Sequence, residues 1–344
     1  MNTIVIQTAL ALEQQAVTNK LSNVNDYEHP ASKTIYKVGH YFSKGNKLQI
    51  IVGRTNQTNI NAAIETERVI QHFNPTYIFF LGVAGSLKDV KIGDVVIGTD
   101  VIGYERGKAK EEFLLRPQFG FSSYELEQKA ISFINSDEWQ MQSSILLNKQ
   151  FHYKIAALTG TIASGEKVIG STASSIYLFL KKHCSHALAV EMEGLGFLEA
   201  CRPYPLIKSL IIRGISDIVN GKEHSDAQGS QEYASNNATE FLFGLIDFIG
   251  IKQEIVTLSL RQKLYEILPK FYPSGLRDNE IWRRAGGDLS LVNLNTTGKA
   301  QWVDALMLIE NGGGGYITFN SLITQMRIDY PNNESLKILC IECK

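Results

Sequence analysis

Four carboxylates stand where an apolar run gives way to a loop, and they frame the chemistry this sequence could perform. Glu13 follows the apolar run TIVIQTAL and opens a helical pattern. A helix N-terminus favours a carboxylate over a carboxylic acid, so Glu13 would be held charged; the plainer alternative is a first-turn glutamate that supports its helix. Glu191 and Glu193 close the run ALAVEME with Met192 between them. Period-two geometry, if the strand continues that far, puts the two glutamates on one side and Met192 on the other. Carboxylates at the end of an apolar strand need a partner, either a cation or ligand hydroxyls; a structural ion pair or cap would also satisfy them. Asp217 follows LIKSLIIRGIS, again at a strand end. Partial burial raises the pKa of a carboxyl and suits it to general-acid work near neutrality; an N-cap or turn aspartate is the alternative. In GVAGSLKDVKIGDVV, Gly82 and Gly85 are expected to bracket a tight turn where backbone can approach a ligand, with Gly93 and Asp94 in the turn before the next strand.

A cationic cluster adds a second kind of chemistry. ERGKAKEEFLLRP places Arg106, Lys108, Lys110 and Arg116 in a loop after a strand. Cations so closely spaced could hold the phosphates of a nucleotide. Glu105, Glu111 and Glu112 in the same loop would equally suit a solvated, self-balanced surface.

These residues must be positioned by the elements around them. Residues 1–250 alternate strand-like and helix-like patterns. Strands are read at TIVIQTAL, YKVGHYFS, LQIIVG, TYIFFLGVAGS, DVVIGTDVIGY, KIAALTGTIAS, HALAVEME and LIKSLIIRGISD. Helices are read after Glu13, over Asn59–Phe73 and Ser123–Phe133, and over the long stretch Ala227–Ile249. Such alternation implies an α/β layer structure with a largely parallel or mixed sheet, and ligands in such folds sit beyond the carboxyl ends of strands. After Gly250 the pattern becomes helical: Ser259–Phe271, Asn279–Ala285, Lys299–Asn311, Ile317–Tyr330 and Glu334–Leu339, punctuated by YPSG, AGGD, NGGGG and YPNN. YITF is the one segment there with strand character. This reads as a small all-α domain of about 85–95 residues, joined by a short linker around Ile251–Thr257 that is not rich in glycine or serine.

Composition agrees with two domains. The chain has 344 residues, with 44% hydrophobic and 20% charged residues, which excludes a disordered chain, a collagen and a coiled-coil rod. Thirty-four basic against 35 acidic side chains, a net charge of −1, give no support to general nucleic-acid binding. No apolar run approaches the ~18 residues of a membrane span. The start, MNTIVIQTALALEQQ, lacks a basic n-region and reads as a first strand, not a signal peptide. Cys184, Cys201, Cys340 and Cys343 are too few for a disulfide scaffold, and the lone CxxC at Cys340–Cys343 has no second ligand pair for a metal. The expectation is a cytoplasmic protein of a reducing compartment, with no cofactor, no metal, no nucleic acid and no membrane.

Taken together, AVEME followed about twenty residues on by RGISD, with ASGEKVI, GVAGS and ALALE, resemble the nucleoside phosphorylase superfamily on its methylthioadenosine/S-adenosylhomocysteine nucleosidase side. The resemblance covers residues 1–250. It implies a three-layer α/β/α fold with a central mixed sheet, and cleavage of an N-glycosidic bond. It further implies that Asp217 protonates the purine, that Glu13 orients a water, that Glu193 grips the ribose hydroxyls and that Met192 packs on the sugar. Gly85 matches a backbone contact near the water or sugar, Val168 and Ile169 match the base-binding segment, and Ser216 would help to position Asp217. Acid on one side and base on the other is the general logic of glycoside hydrolysis. This chain departs from the family in having Val168 where an aromatic residue is frequent and Val83 where a small polar residue is frequent, and its loop NGKEHSDAQGSQ is its own. Phosphorolysis needs an anion site. Thr8 and Phe80 bring no charge to the positions where one is expected, which favours water over phosphate; Arg54 is the residue that weighs the other way.

Residues 258–344 resemble the first type of bacterial effector-associated domain, carried by EIWRRAGGD and NTTGKAQW. The resemblance implies a small death-fold-like adaptor that docks on a protein bearing a matching domain. Trp282 and Trp302 fit core anchors, and Arg283 and Arg284 with Asp278, Glu280 and Asp288 offer both charge signs for partner choice. The joint expectation is an N-ribosyl hydrolase that releases adenine from ATP, AMP or methylthioadenosine, acting as a homo-oligomeric effector in a bacterial conflict or anti-phage system. A catalytically silent purine sensor and a phosphate-dependent phosphorylase are the alternatives. If the loop of Arg106, Lys108 and Lys110 meets phosphate, the substrate is a nucleotide.

Overall fold

A computed structural model describes residues 3–146, 153–219, 230–251 and 260–333, together with Leu336. The chain divides into two compact units, 1–253 and 254–344.

The strands of the first unit are β1 (Ile4–Thr8), β2 (Ser22–Glu28), β3 (Ile35–Ser43), β4 (Asn46–Arg54), β5 (Tyr77–Ser86), β6 (Val95–Gly103), β7 (Gly107–Lys108), β8 (Leu114–Leu115), β9 (Gln118–Phe121), β10 (Ala157–Ser164), β11 (Ala189–Glu191) and β12 (Lys208–Ile218). Its helices are α1 (Ala11–Thr18), α2 (Asn59–Phe73), α3 (Tyr124–Ile134), α4 (Asp137–Ile145), α5 (Ser175–His183), α6 (Gly194–Cys201) and α7 (Ser230–Ile249). A ten-stranded mixed sheet runs β11-β10-β6-β12-β5-β1-β4-β3-β2, with β9 beside β6. The sheet also bends back on itself, because the end of β5 pairs antiparallel with β11 at Gly85 and Ser86.

Alternation along the strands builds the three layers. Ile4, Ile6, Phe79, Leu81, Leu210 and Ile212 pack with Leu126, Phe133, Trp139 and Phe241 from α3, α4 and α7. Their sequence neighbours Val5, Ile78, Phe80 and Ile211 face the other way, against Ala62, Val69 and Phe197 from α2 and α6. Strands buried on both faces read as continuous apolar runs, which is why they stand out in the sequence. The expected α/β/α architecture with a mixed sheet is therefore present.

Several local expectations change. Gly82 and Gly85 lie inside β5, not in a turn, because β5 stays paired with β12 as far as Ser86. The strand through ALAVEME stops at Glu191, and Glu193 is the N-cap residue of α6. Arg106, Lys108 and Lys110 belong to an exposed β7–β8 hairpin segment, not to an open loop. Ala227–Gly229 and the greater part of the loop NGKEHSDAQGSQ fall outside the described residues, as do Cys340, Cys343 and most of Glu334–Leu339.

The second unit is helical: α8 (Leu260–Phe271), α9 (Ile281–Arg284), α10 (Gly298–Glu310) and α11 (Phe319–Asp329), with short helical turns at Asp278–Glu280 and Leu289–Leu291. Its own core gathers Leu264, Leu268, Trp282, Trp302, Leu306, Leu322 and Met326. Trp302 also donates its indole N–H to the Tyr272 carbonyl at 3.0 Å. YITF forms no strand; Thr318 instead caps α11 by accepting from the Ser321 amide. Among the described residues no helix is long and apolar enough to cross a membrane.

Candidate active site

The ends of four strands converge on one cavity. β1 leads into Ala9, Leu10 and Glu13; β5 contributes Val83–Gly85; β11 ends in Glu191 before Met192 and Glu193; β12 contributes Ser216 and Asp217. The antiparallel contact of β5 with β11 brings these ends together although the strands do not all run the same way. Lys167, Val168 and Ile169 follow β10, and Gln57 and Gln231 complete the lining.

Glu13 sits in the first turn of α1 and is 1% exposed. Its Oε2 accepts from the amides of Ala9 and Leu10, each at 2.8 Å, and its Oε1 from the amide of Val83 at 2.9 Å. Burial pushes its pKa upward, while Arg213 and these three amides pull the other way. The carboxylate is thus held in one orientation by main-chain donors.

Arg213 is not among the residues that the sequence singles out. It is fully buried, and its guanidinium lies 4.6 Å from the centre of the Phe80 ring. Nη2 donates to Glu191 and, at 3.2 Å, to Glu193. It is the cation that carboxylates at the end of an apolar strand require. The signal was present: an arginine inside the apolar run LIKSLIIRGIS must be paired if the run is a buried strand. Gly82 makes room for it, since a Cβ there would run into Arg213 Nη1 and Glu13 Oε1.

The two glutamates beside Arg213 do different things. Glu191 accepts from the amides of Glu193 and Gly194, both at 3.0 Å through separate oxygens, and so closes the start of α6. Glu193 accepts from the Thr58 amide at 3.4 Å and lines the cavity. Burial pushes Glu193 up to about 8; Arg213 opposes this, and Glu191 and Glu13 add to it.

Asp217 is 2% exposed and accepts from the Ser216 hydroxyl at 2.9 Å. The register of β12 against β5 slips between Ile215 and Asp217, so that Asp217 pairs with Gly85. A bulge of this kind re-aims a side chain, and here it places Ser216 and Asp217 on the cavity together. Gly85 carries no side chain where a Cβ would stand 3.1 Å from Asp217 Oδ1.

The expected site residues Glu13, Gly85, Val168, Ile169, Met192, Glu193, Ser216 and Asp217 all line this cavity. Arg106, Lys108 and Lys110 do not; nor does Arg54, which is exposed at the end of β4. Among the described residues the cavity's lining cation is Lys167, which reaches Glu105 at 2.5 Å. Gln57, Lys167 and Gln231 were not anticipated. Among the described residues, no group of three or more His, Cys, Asp or Glu side chains is placed to hold a metal ion.

Acidic side chains thus gather at the strand ends of a closed, mixed α/β/α sheet, an arrangement that known proteins share. The family model of the phosphorylase superfamily matches residues 3–247, and the chain belongs to that superfamily. Residues 256–344 match the model of effector-associated domain 1. A 5′-methylthioadenosine/S-adenosylhomocysteine nucleosidase of Staphylococcus haemolyticus is 27% identical over 216 residues, which is 62% of this chain and 86% of the relative. The fold is shared with the futalosine hydrolase of Helicobacter pylori, at a TM-score of 0.57 and 23% identity over 72% of this chain and 97% of that one. It is also shared with a 5′-methylthioadenosine/S-adenosylhomocysteine nucleosidase of Colwellia psychrerythraea in complex with adenine, at a TM-score of 0.59 and 20% identity over 72% and 95%.

Proposed function

We propose that the first unit is an N-ribosyl hydrolase that releases adenine from an adenine nucleoside or nucleotide. The observation that carries this reading is the gathering of Glu13, Glu193 and Asp217 around one cavity. Asp217, oriented by Ser216, gives its proton to the purine, so the base leaves as a neutral molecule. The bond from the purine nitrogen to the anomeric carbon breaks with its electron pair on the base. The sugar becomes cation-like, and the negative charge of Glu13 with the carboxyl oxygens of Glu193 favours that state. Glu193, tied to Arg213, holds the ribose hydroxyls; Met192 packs on the sugar. Glu13 orients a water, whose oxygen forms the new bond to carbon and whose proton passes to the carboxylate. The Gly85 backbone lets the sugar come close, and Val168 and Ile169 hold the base.

Water is favoured over phosphate, because among the described residues Lys167 is the lining cation and Glu105 already engages it. The polar side chains of Gln57, Gln231 and Lys167 on the cavity favour a polar 5′ group over a thioether. In a single chain Arg106, Lys108 and Lys110 stand off the cavity. A triphosphate or monophosphate would therefore be met by the hairpin of a second copy in a homo-oligomer. The pairing with an effector-associated domain supports a role as effector in a bacterial conflict or anti-phage system, engaged through a protein with a matching domain.

The test is chromatography of the purified chain with ATP, AMP, adenosine and methylthioadenosine, with and without phosphate. Free adenine from at least one of them, at a rate that phosphate does not raise, is the expected result. Asp217→Asn should lower base release by about 10²–10⁴-fold while ligand binding persists. No base from any substrate, with or without the docking partner, sinks the reading in favour of a silent sensor. Acceleration by phosphate turns it into phosphorolysis.

A further inference from the structure

The segment that follows β10 lines the cavity through Lys167, Val168 and Ile169. Among the described residues, Glu166, Lys167, Val168 and Ile169 make no main-chain hydrogen bond. What holds the segment comes largely from Tyr104 and Glu105, the two residues that directly follow β6. The Tyr104 amide donates to the Ser164 carbonyl at 3.3 Å, and Glu105 engages Lys167. The hydroxyl end of the Tyr104 ring lies against Gly165, where a Cβ would run into it. Gly165 is itself tied on both sides: its amide donates to the Glu191 carbonyl at 3.1 Å, and its carbonyl accepts from the Asn59 side chain at 3.3 Å. Tyr104 also shares a buried cluster with Ile169 and Val190, both of which line the cavity.

Tyr104 is 3% exposed, and its hydroxyl has no hydrogen-bond partner among the described residues. Burial, with Glu105 and Glu191 nearby, pushes its ionisation upward, so the group stays a neutral donor. A buried hydroxyl without a partner is destabilising, and such a group calls for an explanation. Phenylalanine would fill the same space without that penalty. The carbonyls of Glu166 to Ile169 are acceptors that stand equally unused beside it.

We propose that Tyr104 is a positioning residue for the purine: when the base enters, the segment Glu166–Ile169 settles onto the Tyr104 hydroxyl, which donates to a main-chain carbonyl of that segment and fixes the groups that hold the base. The inference rests on the base-binding role proposed above for Val168 and Ile169. Tyr104 touches neither the base nor the reacting atoms; it acts through the segment. The bond exists in the complex and not in the empty protein. A ligand draws affinity only from what differs between the two states, so loss of this bond shows in binding and not in the stability of the empty chain. The same hydroxyl in a purely structural role would show the reverse.

Tyr104→Phe in the full chain tests it. Three quantities are compared with the wild type: the melting temperature without ligand, the affinity for adenine by titration calorimetry, and KM and kcat for base release. The ligand-free variant should melt at or above the wild-type temperature. Its affinity for adenine should fall about 2–10-fold, the size of one net hydrogen bond, and KM should rise by more than kcat falls. Gly165→Ala, which sets a methyl group against Tyr104, should raise KM as well. A Tyr104→Phe chain that melts below the wild type overturns the proposal, because the hydroxyl is then bonded in the empty protein. Unchanged affinity overturns it too: if the wild type binds adenine and the variant binds it equally, the inference about Tyr104 alone is lost. A wild type that neither binds nor releases adenine defeats the base-binding reading itself, and this inference with it.

Discussion

Three carboxylates and one guanidinium share a buried volume around Arg213, and that imbalance has consequences for individual residues. Glu13, Glu191 and Glu193 bring three negative charges against one positive charge. The cluster lowers its cost by taking up a proton, and burial together with Glu191 and Glu13 pushes Glu193 up to about 8. The unfolded chain gives up that proton near 4.5, the folded one only near 8, so between these values the folded state binds more protons. The stability this contributes is full below 4.5 and is lost as pH rises to about 8. Glu13, raised by burial, acts in the same direction. The first unit should accordingly lose thermal stability from acid to mildly alkaline pH, and Glu193→Gln should flatten that slope; an unchanged slope in the variant would place the proton elsewhere. Gly82→Ala is expected to displace Arg213 and Glu13 together and to cost base release at least tenfold, on the order of the 1–3 kcal/mol of an overpacked core; assays of the folded variant check this. Glu13, Glu193 and Asp217 were legible in the sequence because a carboxylate beside an apolar strand demands an explanation. Arg213 carries the same signal, but the apolar run around it reads as core.

At the level of elements, the site depends on how α2 and α6 are fastened to the sheet. Asn59, the first residue of α2, accepts from the Gly196 amide at 2.9 Å and from the Ser164 hydroxyl at 3.0 Å, and donates to the Gly165 carbonyl at 3.3 Å. One side chain thus joins α2, α6 and the end of β10. Thr58 before it has φ of 95°, a conformation rare for a β-branched residue, and its amide faces Glu193. Asn59→Ala removes the three contacts and should destabilise the first unit by about 1–3 kcal/mol. KM should rise more than kcat falls, because Glu193 and Gln57 are positioned through this junction; an unchanged KM with the expected loss of stability would confine Asn59 to a structural role. The strands of the central sheet were readable from their apolar runs, but their ends were not. Gly82–Gly85 reads as a turn by composition, and only pairing with β12 and β11 reveals that β5 continues. β2 is not legible in the sequence, because SNVNDYE is exposed along its whole length and has no buried face to impose alternation. The short α4 is anchored by Trp139, whose burial against Phe133 and Phe241 comes from tertiary packing that no local pattern records.

On the scale of the whole chain, each unit has its own core, and this predicts how the molecule unfolds. Among the described residues, the cluster around Trp282 and Trp302 draws on Leu264 to Leu336, and the two sheet-facing clusters on residues up to Ile251. Independent cores imply separate cooperative transitions. Trp302 is fully buried and bonded to the Tyr272 carbonyl, so Trp302→Ala removes a large packed side chain together with that hydrogen bond. Losses of about 3–5 kcal/mol are usual for such a truncation in a core. For a unit of this size that is most of the available stability, so its transition should fall steeply or vanish. The transition of the first unit should stay where it is in calorimetry of the full chain, and adenine release by the isolated variant should match the wild type in the absence of any docking partner. A common shift of both transitions would mean that the two cores unfold as one. Preserved transitions with altered release would instead mean that the helical unit acts on the cavity, which the separation of their cores does not predict.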